Sequence, residues 1–183
     1  MVEAIVLAGG ESSRMRKNKM LLPMNGRPLI MSTIQSLYPF VNKVIVVTGK
    51  YHDDIIDLVK DDKKITCVRN HNYALGMFES IKVGVQLTKE DFFIIPGDLP
   101  KINPSTYKRV LESDSLVRVA AYNGKKGHPI FIDKSLKSEL LSSNLPHLKA
   151  FRDQYEYSVI DVNDSGVLED IDTADDYQTL LKR

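Results

Sequence analysis

Cysteine is nearly absent from this chain: Cys67 is the only one in 183 residues, so no intrachain disulfide can form. It stands in the apolar run Ile65-Thr66-Cys67-Val68, where a small buried strand residue is expected. Neither sign of charge prevails, with 25 lysines and arginines against 24 aspartates and glutamates. That balance removes the global field that draws proteins to nucleic acid or to anionic membranes, so any phosphate affinity must be local. No apolar run reaches the length of a membrane span, and the stretch between Glu3 and Gly9 is too short for a signal peptide; a cytoplasmic protein is expected. The four histidines, His52, His71, His128 and His147, are scattered and lack zinc-ligand spacing. Internal repeats, low-complexity segments and linkers are missing too. The length suits one domain burying roughly 70% of its unfolded surface.

What is present is alternation. Val-, Ile- and Phe-rich runs predict strands at Ala4 to Leu7, Lys43 to Thr48, Ile65 to Val68 and Phe92 to Ile95. Between them, helical periodicity covers Pro28 to Tyr38, Asp53 to Val59 and Gly76 to Leu87. Past residue 100 the pattern loosens, with strands expected at Val117 to Tyr122, Pro129 to Ile132 and Tyr157 to Val162. Helices are expected at Pro104 to Leu111, Ser135 to Leu141, Leu148 to Phe151 and Thr173 to Lys182. The continuous runs Val44 to Val47 and Phe92 to Ile95 fit strands covered on both faces. The expected class is therefore α/β, a three-layer αβα single domain over 1–183 with a mainly parallel, Rossmann-like sheet. A ligand site is expected beyond the carboxyl ends of the strands, where open sheets bind their ligands.

The most informative segment runs from Ile5 to Pro23. A short strand enters Gly9-Gly10, then Ser12-Ser13, then a basic cluster with Arg14 and Lys19. Glycines bring bare amides close to an anion, and the cations neutralise it, as a polyphosphate requires. The two commonest phosphate loops are excluded: G-x-x-x-x-G-K-[ST] does not occur, and no third glycine completes G-x-G-x-x-G. A strand-to-loop turn with a solvated basic face is the plainer alternative.

Asp98 follows the run Phe92 to Ile95 through Pro96-Gly97, just past the carboxyl end of an expected central strand, where a metal-bound triphosphate sits. Pro-Gly-Asp is also an ordinary turn sequence. Asn70, Gly76 and Ser80 combine hydrogen-bonding groups with a position of close approach, which suits recognition of a base or ribose. Met77, Ile81 and Val85 are spaced like the core face of a helix. Asp172 reads as an N-cap of the last helix, with Asp175 in its first turn.

From Leu7 to Leu29 the run L-A-G-G-x-S-S-R-M-x-x-x-K-x-L-L-P-x-x-G-x-P-L resembles the opening of nucleotidyltransferases, most closely the molybdenum cofactor nucleotidyltransferases. Asn70 to Ser80, Pro96 to Pro100, Gly127-His128-Pro129 and Asp170 to Thr173 agree with that family in order, so the resemblance covers nearly the whole chain. It implies a nucleotide-binding set of Leu7, Ala8, Gly9, Gly10, Ser12, Ser13, Arg14, Lys19, Asn70, Gly76 and Ser80. It also implies catalytic roles for Arg14, Lys19 and Asp98, and Mg2+ on Asp98 with Asp172, or Asp170, as second contact. Residues 1–100 are implied to be the nucleotide-binding half and 101–183 the acceptor-binding half, with His128 near the acceptor. The implied partners are a nucleoside triphosphate, molybdopterin as acceptor, and a client molybdenum enzyme; the alternatives are a nucleotidyltransferase for a sugar or polyol phosphate and a non-catalytic nucleotide-binding protein that matures a molybdenum enzyme. Gly127-His128-Pro129 and Gly76-Met77-x-x-Ser80 resemble the cytidylyl branch, whose members tend to carry Ala-Ala-Gly where this chain has Ala8-Gly9-Gly10; CTP is expected and GTP is the alternative. Arg16 replaces a usual glycine, and Leu99 the usual middle residue of its motif.

Overall fold

The structure is a computed structural model that describes residues 1–11, 15 and 17–182. In chain order its elements are β1 (Val2–Ala8), β2 (Pro23–Met24), β3 (Arg27–Pro28), α1 (Leu29–Leu37), β4 (Lys43–Thr48), α2 (His52–Val59), β5 (Ile65–Arg69), α3 (Met77–Gln86), β6 (Asp91–Pro96) and α4 (Pro104–Leu111). The chain continues through β7 (Val117–Tyr122), β8 (Lys125–Ile132), α5 (Lys137–Ser142), α6 (Leu148–Arg152), β9 (Ser158–Asp161) and α7 (Ala174–Leu181). Seven strands form one sheet in the order β5-β4-β1-β6-β8-β7-β9. Pairings β5-β4, β4-β1, β1-β6 and β7-β9 are parallel, and β8 runs antiparallel to both β6 and β7.

Each central strand feeds two cores, because successive side chains point to opposite faces. On one face Val6, Val46 and Ile95 stand in register and pack under Ile30 and Ile34 of α1, Ile55 of α2 and Tyr107 of α4. On the other, Ile5, Ile45 and Ile94 pack under Phe78, Ile81 and Val85 of α3 and Phe151 of α6. All six strand residues have no exposed surface, and full burial of each such side chain contributes about 1.5–3 kcal/mol. This is the three-layer αβα arrangement expected from the two fully apolar runs.

Four local expectations are corrected. The core face of α3 begins at Phe78 and not at Met77, which is 60% exposed at the start of the helix; Phe78, Ile81 and Val85 keep the i, i+3, i+7 spacing. The last helix is capped by Thr173 and not by Asp172: the Thr173 hydroxyl accepts from the Asp176 amide, and the Asp176 carboxylate accepts from the Thr173 amide, a reciprocal capping box. Strand β8 begins at Lys125, so His128 lies within it and not ahead of it. Cys67 is half-buried, because β5 is an edge strand. Among the described residues no helix is long and apolar enough to cross a membrane.

Candidate active site

The strand order reverses direction between β1 and β6, whose carboxyl ends therefore open a crevice. Gly9 and Gly10 leave β1 there. A side chain on Gly9 would press on the Ser80 hydroxyl at 3.1 Å, whereas nothing lies within 4 Å of the corresponding position on Gly10, so its backbone is open to the cleft. Gly97 leaves β6, its amide donating to Leu7 O at 2.9 Å and its carbonyl accepting from the Thr33 hydroxyl of α1 at 2.9 Å. That double tie delivers Asp98 to the crevice.

Asp98 is buried, 7% exposed, and its Oδ2 pairs with Lys19 Nζ at 2.5 Å. Lys19 sits on a 3-10 turn capped by Asn18, and its Nζ also donates to Asp172 Oδ1 at 2.7 Å. Burial pulls the Lys19 ammonium down, but the Asp98 and Asp172 charges more than offset it, and its pKa is raised. Capping by Thr173 leaves the Asp172 carboxylate for this pairing. Asp170 lines the same cleft and is raised by burial and by the charges of Asp172 and Asp98. The Ile171 amide donates to Asp98 O at 3.1 Å and pins this acidic loop to β6.

The crevice opens into a cavity of about 790 Å3. From the expected set, Leu7, Gly9, Gly10, Lys19, Gly76, Ser80, Asp98, His128, Asp170 and Asp172 line it. Ala8 turns its side chain to the core on the opposite face of the sheet. Asn70 lies beneath the cleft, 2% exposed, donating to the Ser80 hydroxyl at 2.9 Å and accepting from the Asn72 amide at 2.9 Å; it positions Ser80 and the loop after β5. Ser12, Ser13, Arg14 and Arg16 lie outside the described residues.

His128 precedes a cis peptide to Pro129. Burial pushes its imidazole down to about 4, the Ile94 carbonyl and Asp170 opposing that shift and Arg152 adding to it, so the ring is neutral near pH 7. Gly127 lets β8 press on the 3-10 turn Ser165–Leu168 that follows β9: a β-carbon there would fall 2.1 Å from Val167 O. Lys126, His147, Lys149 and Arg152 also line the cavity, and sequence reasoning missed them. Lys126 fell between two expected strands, Lys149 inside the expected helix Leu148 to Phe151, and His147 and Arg152 at its two ends, positions that carry no local signal of a site.

Among the described residues no three histidine, cysteine, aspartate or glutamate side chains make a ready metal cage. The donor set nevertheless fits a hard divalent cation. Asp98 Oδ1 is buried with no hydrogen-bond partner among the described residues, and Mg2+ needs only one or two carboxylates besides waters and phosphate oxygens.

Glycines just past the end of β1 and a lysine held between Asp98, just past β6, and Asp172, ahead of α7, equip the cleft for a polyphosphate and for charge that develops on it. By class the protein is an α/β nucleotidyltransferase acting on a nucleoside triphosphate. The family model described as "MobA-like NTP transferase domain" matches residues 4–159, and the chain belongs to that family. Over its full length it is 27% identical to the molybdenum cofactor cytidylyltransferase of Escherichia coli (strain K12), across 186 residues and 96% of that protein. It is 24% identical to a probable molybdenum cofactor guanylyltransferase of Natranaerobius thermophilus over 179 residues, 90% of this chain and 82% of that one. A nucleotidyl transferase structure from Methanothermobacter thermautotroptrophicus shares the fold with a TM-score of 0.85 at 22% identity, covering 100% of this chain and 96% of that one.

Proposed function

We propose that the protein transfers a nucleoside monophosphate, from CTP by preference and from GTP as the alternative, to the phosphate of molybdopterin or its molybdenum-loaded form. An acceptor phosphate oxygen attacks the α-phosphorus, the bond from that phosphorus to the α–β bridging oxygen breaks, and pyrophosphate leaves. The observation that carries this reading is the buried Asp98, with one oxygen on Lys19 and the other unpartnered, in a cavity that Gly9 and Gly10 also line.

In such transfers the protein positions and neutralises more than it reacts. Gly9 and Gly10 hold the triphosphate, and Lys19 carries positive charge to its oxygens. Arg14 is assigned the same neutralising role. Asp98 with Asp172, or Asp170, would hold Mg2+, which supplies electrostatic stabilisation of the phosphoryl oxygens when bound. Neutral His128 packs in the wall that receives the acceptor, and a client molybdenum enzyme would take up the product.

The test is pyrophosphate release with Mg2+, each of CTP, GTP, ATP and UTP in turn, and as acceptor molybdopterin or, in parallel, a sugar or polyol phosphate. Acceptor-dependent release with CTP or GTP is expected, falling on the order of 10²-fold to 10³-fold in Asp98→Asn, as when a transition-state contact is removed. Release only with a sugar or polyol phosphate would reassign the acceptor, and release with no pairing would refute the reaction.

A further inference from the structure

The wall of the cleft contributed by β8 and α6 carries cations that the glycine loop and the aspartates do not use. Lys126 comes from β8, and Lys149 and Arg152 come from α6; all three line the cavity. The Arg152 side chain is only 8% exposed, a costly position for a guanidinium unless its partners are good. Its Nε and Nη2 donate to Asp153 Oδ1 at 2.9 and 2.7 Å. The guanidinium also lies 4.8 Å from the centre of the Tyr157 ring, and Lys126 Nζ lies 4.9 Å from that same ring while donating to its hydroxyl at 2.5 Å.

Tyr157 therefore gathers two like charges, Arg152 beside its ring and Lys126 at its hydroxyl. Asp153, itself 42% exposed, pairs with Arg152 and only lies in the weaker field of Lys149 and Lys126. Two positive charges are left over on this wall, in a chain whose whole formal charge is +1. Fixing Arg152 as a structural group needs Asp153 and Tyr157 alone; bringing two lysines to the same face costs repulsion that an incoming anion would remove.

We propose that Arg152, Lys126 and Lys149 form the subsite for an anionic group of the acceptor. The inference rests on the nucleotidyltransferase reading of the cleft, in which the triphosphate already has the β1 loop and Lys19. Its ligand is an oxyanion of the acceptor molecule, and Tyr157 is the positioning residue that holds two of the cations side by side.

The experiment measures binding and turnover separately. Molybdopterin and CTP affinities are measured directly for the wild type, for the exposed double variant Lys126→Ala/Lys149→Ala, for Arg152→Gln and for Arg152→Lys, followed by KM for each substrate with Mg2+ present. The double variant and Arg152→Gln should each bind molybdopterin at least tenfold more weakly with CTP affinity within twofold, and Arg152→Lys should recover part of the loss. Unchanged molybdopterin affinity in the double variant would overturn the proposal even if Arg152→Gln fails to fold. A loss of CTP affinity instead would move the cluster to the triphosphate and overturn it as well. Weakened molybdopterin binding in a protein that never releases pyrophosphate would uphold the subsite and refute the reaction.

Discussion

Replacing Lys19 by methionine keeps the length and apolar stem of the side chain and deletes one charge. In the structure that charge lies 2.5 Å from Asp98 and 2.7 Å from Asp172, with side-chain exposures of 11% for Lys19, 10% for Asp98 and 30% for Asp172. Removing one partner of a buried pair costs about 3–5 kcal/mol, because the remaining charge loses its compensation. Solvent screens the Asp172 arm, which places Lys19→Met near the lower figure, at about 3 kcal/mol. For a chain of this size that lowers Tm by about 6–12 °C. Circular dichroism melts at low ionic strength, with and without millimolar MgCl2, measure it. The variant should melt well below the wild type without the metal and regain part of the difference with it, since a divalent cation can take over charge compensation of the same carboxylates. A melt within about 2 °C of the wild type would refute the reasoning and mean that the carboxylates relieve their repulsion by protonation or by moving apart.

Two further outcomes follow from the wall of the cleft. Gly127→Ala forces a β-carbon against the Val167 carbonyl, and overpacking of this kind should destabilise by about 1–3 kcal/mol, read as a lower urea midpoint with unchanged slope. Because the folded pKa of His128 is depressed from 6.5 to about 4, its contribution to stability is full above 6.5 and is lost as pH falls through 4; the loss amounts to about 3 kcal/mol, and His128→Phe should flatten the stability profile between pH 6.5 and 4.

The fold was legible where one element alone decides its own burial. Val44 to Val47 and Phe92 to Ile95 are continuous apolar runs, and both became central strands without exposed surface. The β2-β3 hairpin was not read, although Asn25-Gly26, at φ 50° and 79°, is the dipeptide such a tight turn calls for. For Asp172 and Thr173 two neighbouring residues can both cap a helix, and the choice fell to Thr173 through its reciprocal bond with Asp176. The end of the cleft formed by Gly9, Gly10, Lys19 and Asp98 was marked in the sequence itself. The basic wall was not, because Arg152 acquires its meaning from burial and from a ring five residues on, and neither has a local signature.

Strand β8 is the one strand of the main sheet that runs against all the others, and its direction has an architectural consequence. Its amino end opens at the cleft, reached from β7 through the two-residue turn Asn123-Gly124, at φ 49° and 74°. Tight surface turns of this kind accept inserted residues more readily than any buried strand. A longer loop grafted at Asn123-Gly124 would remodel the far side of the cavity while β1 and β6 stay where they are. The hairpin is thus a replaceable jaw on a fixed vice, and the shape of the cavity could be re-engineered there with the glycines of the β1 loop and Asp98 left intact.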